Sequence, residues 1–427
     1  MKRVLIICYY WPPAGGPGVQ RWLKFVNYLP QYGIEPVVFI PQNPSYPLLD
    51  ESLTQEVDHD LELVHCPINE PYKWGKLLGG KKSSEISKGV IPKESPGIMA
   101  KFLLAVRGNF FIPDARVGWV EPATKKALDY LQEHPVSTII TTGPPHSLHL
   151  VGMKLKERLN IPWVADFRDP WTTIHYHKDL RLGKRAKRLH ESLESQVLRN
   201  ADRLIVTSPG TKSEFEQKTD KPITLITNGF DKRTTAASAL HPHFSLTHIG
   251  SLLTDRNPIP VWQALSELLK EEEGFNNHFK LHLAGVVGPE IAESLHEFGL
   301  MPFLIDHGYL EHQQALKLQT ASQLLLLLEM NKPETRAIIP GKLFEYMSAG
   351  RPILGLGPKG SDVAPILDQS NSGSFFNWEE KEQLKSYMLN AFRAYKAGDL
   401  QGGSIKDLDR YSRKSLTQDL AQLLKGL

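Results

Sequence analysis

Residues 4–29 read VLIICYYWPPAGGPGVQRWLKFVNYL. The first seven are an apolar run rich in β-formers. Pro12 and Pro13 interrupt the chain, Gly15 and Gly16 follow, and Val19, Trp22, Leu23, Val26 and Leu29 then recur at helical spacing. A strand, a glycine turn and a helix in that order open a parallel α/β sheet. Such a junction can also hold an anion. Outward-pointing N–H groups and the positive end of the helix dipole face one point, Gly15 and Gly16 keep Cβ atoms out of the way, and Pro17 suits the first helical turn. GGPGV does not have the G-x-G-x-x-G spacing of dinucleotide sites. The plain alternative is an ordinary strand-to-helix turn.

The same alternation continues outward. EPVVFI, STIITTG, PWVADF, DRLIVTS and PITLITNG read as strands; SLHLVGMKLKERLN and KRLHESLESQVLRN read as helices. From residue 244 the pattern restarts. FSLTHIGSLL, FKLHLAGVV, FLIDHGYL, QLLLLLE and RPILGLG are strands with their loops, and PVWQALSELLKE, EHQQALKLQTA and GKLFEYMSAG are helices. Between the halves, TNGFDKRTTAASALHPH has turn residues and no clear period, which places a domain junction there. Strands alternating with helices predict two doubly wound α/β domains with parallel sheets and a cleft between them. The tail RKSLTQDLAQLLKGL reads as a short amphipathic helix, and no repeat of solenoid length is present.

At 427 residues the chain exceeds one ordinary core, in keeping with two domains. Hydrophobic residues at 41% and charged residues at 23% exclude a largely disordered chain, and a net charge of +3 excludes a polycation built for nucleic acid. Two cysteines, Cys8 and Cys66, are too few for a disulfide framework and point to a reducing, cytoplasmic setting. VLIICYY is short, stopped by proline and followed by no small-residue cleavage site, so it reads as a buried strand and not a secretory signal. No stretch approaches the ~20 apolar residues of a membrane span.

One region differs. Residues 72–108, YKWGKLLGGKKSSEISKGVIPKESPGIMAKFLLAVRG, carry eight lysines and arginines interleaved with Trp74, Leu77, Leu78, Phe102 and Leu103, against only Glu85 and Glu94. A second basic run, KDLRLGKRAKR, spans 178–188. An insertion at 70–120 of this kind could rest on an anionic membrane surface. The alternative is a solvated basic loop.

Residues 337–357, AIIPGKLFEYMSAGRPILGLG, lead through Pro340 and Gly341 into a helix. Lys342 stands in its first turn, an unfavourable place for a cation that a bound anion would repair. Glu345 follows on nearly the same face. A lysine for phosphate and a carboxylate for ribose hydroxyls make a nucleotide-binding pair; the bland reading is a surface ion pair worth little. This stretch, together with YYWPPAGGPGVQRW, TTGPPHS, WVADFRDPW and ITNGFD, resembles glycosyltransferase family 4, over nearly the whole chain and in matching order. The resemblance implies a GT-B fold, two Rossmann-like domains facing across a cleft. It further implies a retaining hexosyltransferase that uses a UDP- or GDP-linked sugar and a saccharide or lipid-linked saccharide acceptor, in polysaccharide or glycolipid assembly.

On that resemblance, 1–230 is the acceptor-side domain, 231–243 a linker, 244–408 the nucleotide-sugar domain and 409–427 a helix packing back on the first domain. Gly15 and Gly16 match the loop facing the donor diphosphate, and Glu345 matches the second glutamate of the E-x7-E motif. The first glutamate is replaced by Ala337, so the sequence is closer to P-G-K variants in which Pro340, Gly341, Lys342 and Leu343 form the donor element. The family's arginine and lysine after a strand-end glycine fall, from Gly250, on Ser251 and Arg256, so one cation is kept. Tyr309 and Leu310 match the segment beside the nucleobase. No metal site is expected, because His175 and His177, and His241 and His243, lack a carboxylate or cysteine set at suitable spacing. Positive charge for diphosphate departure then falls to Arg256 and Lys342.

In the first domain, His146 ends a strand of TTGPPHS where ligands of open α/β folds bind, and the resemblance gives that region a functional histidine. ADFRDPW puts Asp166, Arg168 and Asp169 at another strand end. Asp166 or Asp169 could take the acceptor proton and Arg168 could orient an acid group; alternatively they form an Arg–Asp network that holds the loops. A nucleotide-sugar epimerase and a non-catalytic GT-B-like binding protein are the competing functions. The latter is kept open by Ala337 and Ser251.

Overall fold

The computed structural model describes residues 1–68, 105–174, 177–178, 180–231, 239–400 and 405–427. Most of the basic insertion, His175 and much of the expected linker lie outside these residues. The chain divides into two compact units. One comprises Met1–Asn228 with Arg413–Leu427, and the other Gly229–Ser412.

The first unit holds seven strands: β1 (Lys2–Ile7), β2 (Ile34–Gln42), β3 (Glu62–Pro67), β4 (Thr138–Gly143), β5 (Trp163–Phe167), β6 (Arg203–Val206) and β7 (Ile223–Leu225). All pair in parallel, in the order β3-β2-β1-β4-β5-β6-β7. The continuous apolar strands follow from coverage of both faces. Alternate residues of β1 enter different cores. Leu5 and Ile7 pack with Trp119, Ala123 and Leu148, on the side of helices Val120–Glu133 and Ser147–Leu159. Val4 and Ile6 pack with Val19, Trp22 and Leu23 of helix Pro17–Tyr28.

The same second core takes in Leu416, Leu420 and Leu424 of the terminal helix Arg413–Lys425. Their four-residue spacing makes one apolar stripe, and each fully buried leucine contributes roughly 1.5–3 kcal/mol. The Lys2 amine donates to the Leu424 carbonyl at 3.1 Å and fastens the end of that helix to β1.

The second unit holds β8 (Phe244–Ile249), β9 (Phe279–Ala284), β10 (Leu304–Asp306), β11 (Leu324–Leu328), β12 (Ile353–Gly357) and β13 (Gly373–Asn377). They are parallel, in the order β10-β9-β8-β11-β12-β13. β11 is five consecutive leucines, all buried. Leu324, Leu326 and Leu328 face helices Ile259–Glu271 and Lys381–Ala397, while Leu325 and Leu327 face Leu343, Phe344 and Met347 of helix Lys342–Ser348. Both sheets therefore reverse direction once, between β1 and β4 and between β8 and β11. The loops leaving those strands flank a crevice at the carboxyl ends, where open α/β sheets bind ligands.

Candidate functional site

In the second unit, the loops after β8 and β11 and the helix before β12 meet at the switch point. The Lys342 amine donates to the Ile249 carbonyl at 2.9 Å, and the Ile249 N–H donates to the Tyr346 hydroxyl at 2.9 Å. Two side chains one turn apart thus pin this helix to the end of β8. Gly250 follows at φ +128°, and a Cβ there would strike the Lys342 amine. Gly285, at φ +121°, leaves no room either, because a Cβ would lie 2.7 Å from the Gly250 carbonyl. Backbone bonds from Gly250 to Ala284 (2.7 Å) and from Gly285 to Gly308 (2.6 Å) tie the ends of β8, β9 and β10 together. These glycines are needed for close backbone approach around one point.

Charge gathers at that point. Burial, and then the neighbouring Arg256 charge, push the Lys342 amine down from 10.5 to about 8, against the pull of Glu345. Burial also lowers Arg256, opposed by Glu329 and Asp255. Glu329, at the end of β11, is 5% exposed, and burial raises its carboxyl to about 8 against the opposing influence of Ser361 and Arg256. Both its oxygens, and the Arg256 Nε, are enclosed without a hydrogen-bond partner. Strongly shifted groups of both signs with unmet hydrogen-bonding capacity, at a switch point, are the signature of a ligand site.

The residues singled out in sequence separate here. Gly250, Arg256 and Lys342 converge, and Ser251 is exposed beside them. Pro340, Gly341 and Glu345 are half-buried around the start of the same helix. Leu343 does not join them. Its side chain is fully buried in the core and its N–H donates to the Pro340 carbonyl at 3.0 Å, so it is a packing residue. Tyr309 is 86% exposed, which excludes strand-end packing, and Leu310 is half-buried after it. Glu329 was missed. Its only sequence signal is a carboxylate closing an otherwise apolar strand, QLLLLLE.

In the first unit, Gly16 has φ 111° and ψ 165°, a conformation for glycine alone, and precedes the helix Pro17–Tyr28. Gly15 packs closely on Leu48 and Asp50. Gly18 has a role the sequence did not reveal. The Arg168 guanidinium lies where its Cβ would stand, and also donates to the Pro144 carbonyl. Arg168 thereby links the loops after β1, β4 and β5.

His146 is 4% exposed and stacked on Trp171, with centroids 4.8 Å apart and planes 4° apart. Neither ring nitrogen has a partner. Burial, then the adjacent His149, His177 and the Arg168 guanidinium, hold it well below the ordinary histidine range, so it is a neutral imidazole at pH 7. Asp166 is different. It is wholly buried and accepts from Arg21 (3.1 Å), Trp22 Nε1 (2.9 Å) and Thr142 (2.8 Å). Arg21 continues to the Ile226 carbonyl at 2.9 Å. With both oxygens occupied and no exposure, Asp166 has no open side for an acceptor; the geometry is that of the Arg–Asp network, with Arg21 as the arginine. Asp169 is half-buried, and burial raises its carboxyl against the influence of Arg168.

Two parallel sheets, each with the 3-2-1-4-5-6 core order and a ligand crevice at its switch point, define a two-domain Rossmann-like protein of the GT-B fold. Residues 90–229 match the model of the glycosyl transferase 4-like domain. The whole chain resembles solved structures at low identity. HepE of Anabaena, in complex with UDP and glucose, aligns at 14% identity and TM-score 0.63 over 100% of both chains. Sucrose-phosphate synthase from Thermosynechococcus elongatus aligns at 14% and 0.63, over 100% of this chain and 99% of that one. The lipopolysaccharide outer core galactosyltransferase WaaB aligns at 13% and 0.61 over 100% of both. A comparison with curated proteins returns no match. Residues 90–229 therefore match a glycosyl transferase 4-like domain, and the chain as a whole shares the GT-B fold of these structures.

Proposed function

We propose that the chain is a retaining hexosyltransferase that moves a sugar from a UDP-sugar to a saccharide or lipid-linked saccharide acceptor, in the assembly of a cell-surface polysaccharide or glycolipid. The observation that carries this reading is the cluster of Arg256, Lys342 and Glu329 around Gly250, in which the Arg256 Nε and both Glu329 carboxyl oxygens are enclosed without a hydrogen-bond partner. A diphosphate would supply the negative charge that Lys342 and Arg256 lack. Glu329, protonated near pH 7 with its carboxyl at about 8, would donate a hydrogen bond to a phosphate or sugar oxygen. UDP is preferred over GDP because HepE is described with UDP and glucose; WaaB, described as a galactosyltransferase of lipopolysaccharide, supports a saccharide acceptor.

In the proposed reaction the bond from C1 to the donor phosphate breaks as the acceptor oxygen bonds to C1 on the same face. The acceptor proton passes to the leaving phosphate oxygen, while Arg256 and Lys342 stabilise its charge. No side-chain base is needed, which accords with the closed surroundings of Asp166. Gly15 and Gly16 would admit the donor phosphates to the first unit's backbone, Glu345 would hold the ribose, Tyr309 and Leu310 would flank the base, and neutral His146 would hydrogen-bond the transferred sugar. Work at the cytoplasmic face of a membrane, through the basic runs, belongs to the same proposal. Among the described residues no helix is long and apolar enough to cross a membrane.

The test is thermal stabilisation by UDP, GDP, ADP, CMP and their sugars, with anomeric analysis of any product by NMR. A ligand at 100 times its Kd stabilises by about 2.7 kcal/mol. Stabilisation by UDP alone, lost in Arg256→Ala, and an α-linked product from an α-linked donor are expected. No shift with any nucleotide refutes the donor site, and binding without turnover on any acceptor points to a non-catalytic relative.

A further inference from the structure

A second constellation lies on the second unit's sheet, apart from the charged cluster. His241 and His243 precede β8 and His282 lies within β9. Their ring nitrogens fall within 4.8 Å of one another. The imidazoles are stacked, His241 on His282 at 4.6 Å and 15°, and His243 on His282 at 5.1 Å and 17°. β8 and β9 run side by side in register, Phe244 opposite Phe279 and Thr247 opposite His282, so odd residues of one and even residues of the other share a face. Spacing along the chain could not reveal this set, because its third member is 39 residues beyond the H-P-H pair.

Apposed imidazoles at this separation need an explanation. The His243 Nε2 and His282 Nε2 are 2.8 Å apart, and the His282 Nδ1 is 2.9 Å from the His307 Nε2. The His241 Nδ1 is enclosed and has no partner. In one of the two tautomeric arrangements that satisfy these contacts, His282 donates its Nδ1–H to His307 and turns its Nε2 lone pair toward His243. That is the arrangement of a metal-ligating histidine, whose second nitrogen is held by an outer hydrogen bond.

We propose that His241, His243 and His282 bind a single first-row transition cation of the zinc type, with His307 as the outer partner of His282. A donor set of imidazoles without carboxylates selects Zn²⁺, Co²⁺, Ni²⁺ or Cu²⁺ over Mg²⁺ or Ca²⁺. Tetrahedral bonds of about 2.0–2.1 Å put nitrogens roughly 3.3 Å apart, so the closest pair must open by about 0.5 Å. The adjacent Lys280 amine lies over the Phe303 ring and 3.5 Å from the Pro302 carbonyl. His241 and His307 also line an open cavity of about 350 Å³ with Gln314 and Lys317, which opens the His241 side of the cluster to solvent. His307 directly precedes Gly308, whose carbonyl accepts from Gly285, so the cation would brace the start of the loop carrying Tyr309. The site stands whether or not the transferase reading holds.

The test uses the full, untagged, metal-free chain, titrated with Zn²⁺ by calorimetry and with Co²⁺ by absorption. One equivalent of Zn²⁺ and intense four-coordinate Co²⁺ bands are expected. His243→Ala and His282→Ala should each abolish both signals. His307→Gln should weaken Zn²⁺ binding by roughly 10–100-fold while keeping the stoichiometry. Because His282 is buried and its replacement could unfold the unit, His241→Gln, at a half-buried position, provides an independent arm and should also remove the Co²⁺ bands. Absence of a stoichiometric Zn²⁺ isotherm in the parent chain overturns the proposal, as does Zn²⁺ binding that persists unchanged in the His241 and His243 variants.

Discussion

Replacing Lys342 by methionine should stabilise the ligand-free protein while weakening its hold on nucleotide. Displacement of the amine from 10.5 to about 8 means that burial favours its neutral form by about 3 kcal/mol. At pH 7 the folded protein carries the charge anyway and bears that cost. Methionine removes it, at the loss of the 2.9 Å bond to the Ile249 carbonyl, about 1 kcal/mol. The net gain is about 2 kcal/mol, or roughly 4–8 °C in Tm for a unit of this size. The sign with pH follows from linkage. Between 10.5 and 8 the unfolded chain takes up a proton that the folded chain refuses, so the parent loses stability as pH falls through that window, and the full cost applies below 8. The gain of the variant should therefore be largest at pH 7 and shrink to about zero near pH 10. Differential scanning calorimetry of both proteins at the two pH values measures it. Nucleotide affinity should fall roughly 10–100-fold, the worth of a charge-assisted bond. A Lys342→Met protein that melts lower than the parent at pH 7, or whose advantage is the same at pH 10, would refute the reasoning.

Further substitutions separate structural from chemical roles. Asp166→Asn leaves the Arg21 charge uncompensated in the core and should cost about 3–5 kcal/mol in urea unfolding; normal stability with lost turnover would instead mark Asp166 as the reacting base. His146→Phe keeps the stack on Trp171 and should cost under about 1.5 kcal/mol, while kcat falls roughly 100-fold through loss of a hydrogen bond to the transferred sugar in the transition state; unchanged kcat would make this histidine a packing residue. Gly16→Ala forces a Cβ into φ 111° and ψ 165° and should destabilise by about 1–3 kcal/mol, although nothing lies within 4 Å of the added atom. A neutral result in chemical denaturation would show that this turn relaxes freely.

Much of the fold was legible in the chain because period and punctuation are local. STIITTG, QLLLLLE and RPILGLG each contain the strand they suggested, VLIICYY overlaps β1 over Val4–Ile7, and the helices of GVQRWLKFVNYL and PVWQALSELLKE form where the apolar spacing put them. ELVHCP (β3), GSFFN (β13) and helix Lys381–Ala397 were not anticipated; β3 and β13 are edge strands with weaker apolar patterns. Gly250, Arg256 and Lys342 were singled out in the sequence, and the folded unit brings them together. What the sequence alone determined is thus the repeated strand–helix alternation and the residues at its punctuation points, both set by short-range sterics and hydrophobic periodicity. Tertiary structure decided which of those residues remain available. Asp166 is sealed by Arg21, Trp22 and Thr142, which lie far from it in the chain, and Leu343 turns into the core. Glu329 acquires its shifted carboxyl, and His282 its two histidine neighbours, only when parallel strands pack side by side. Burial and cross-strand distance are properties of the folded sheet, and neither is written in the spacing of residues along one strand.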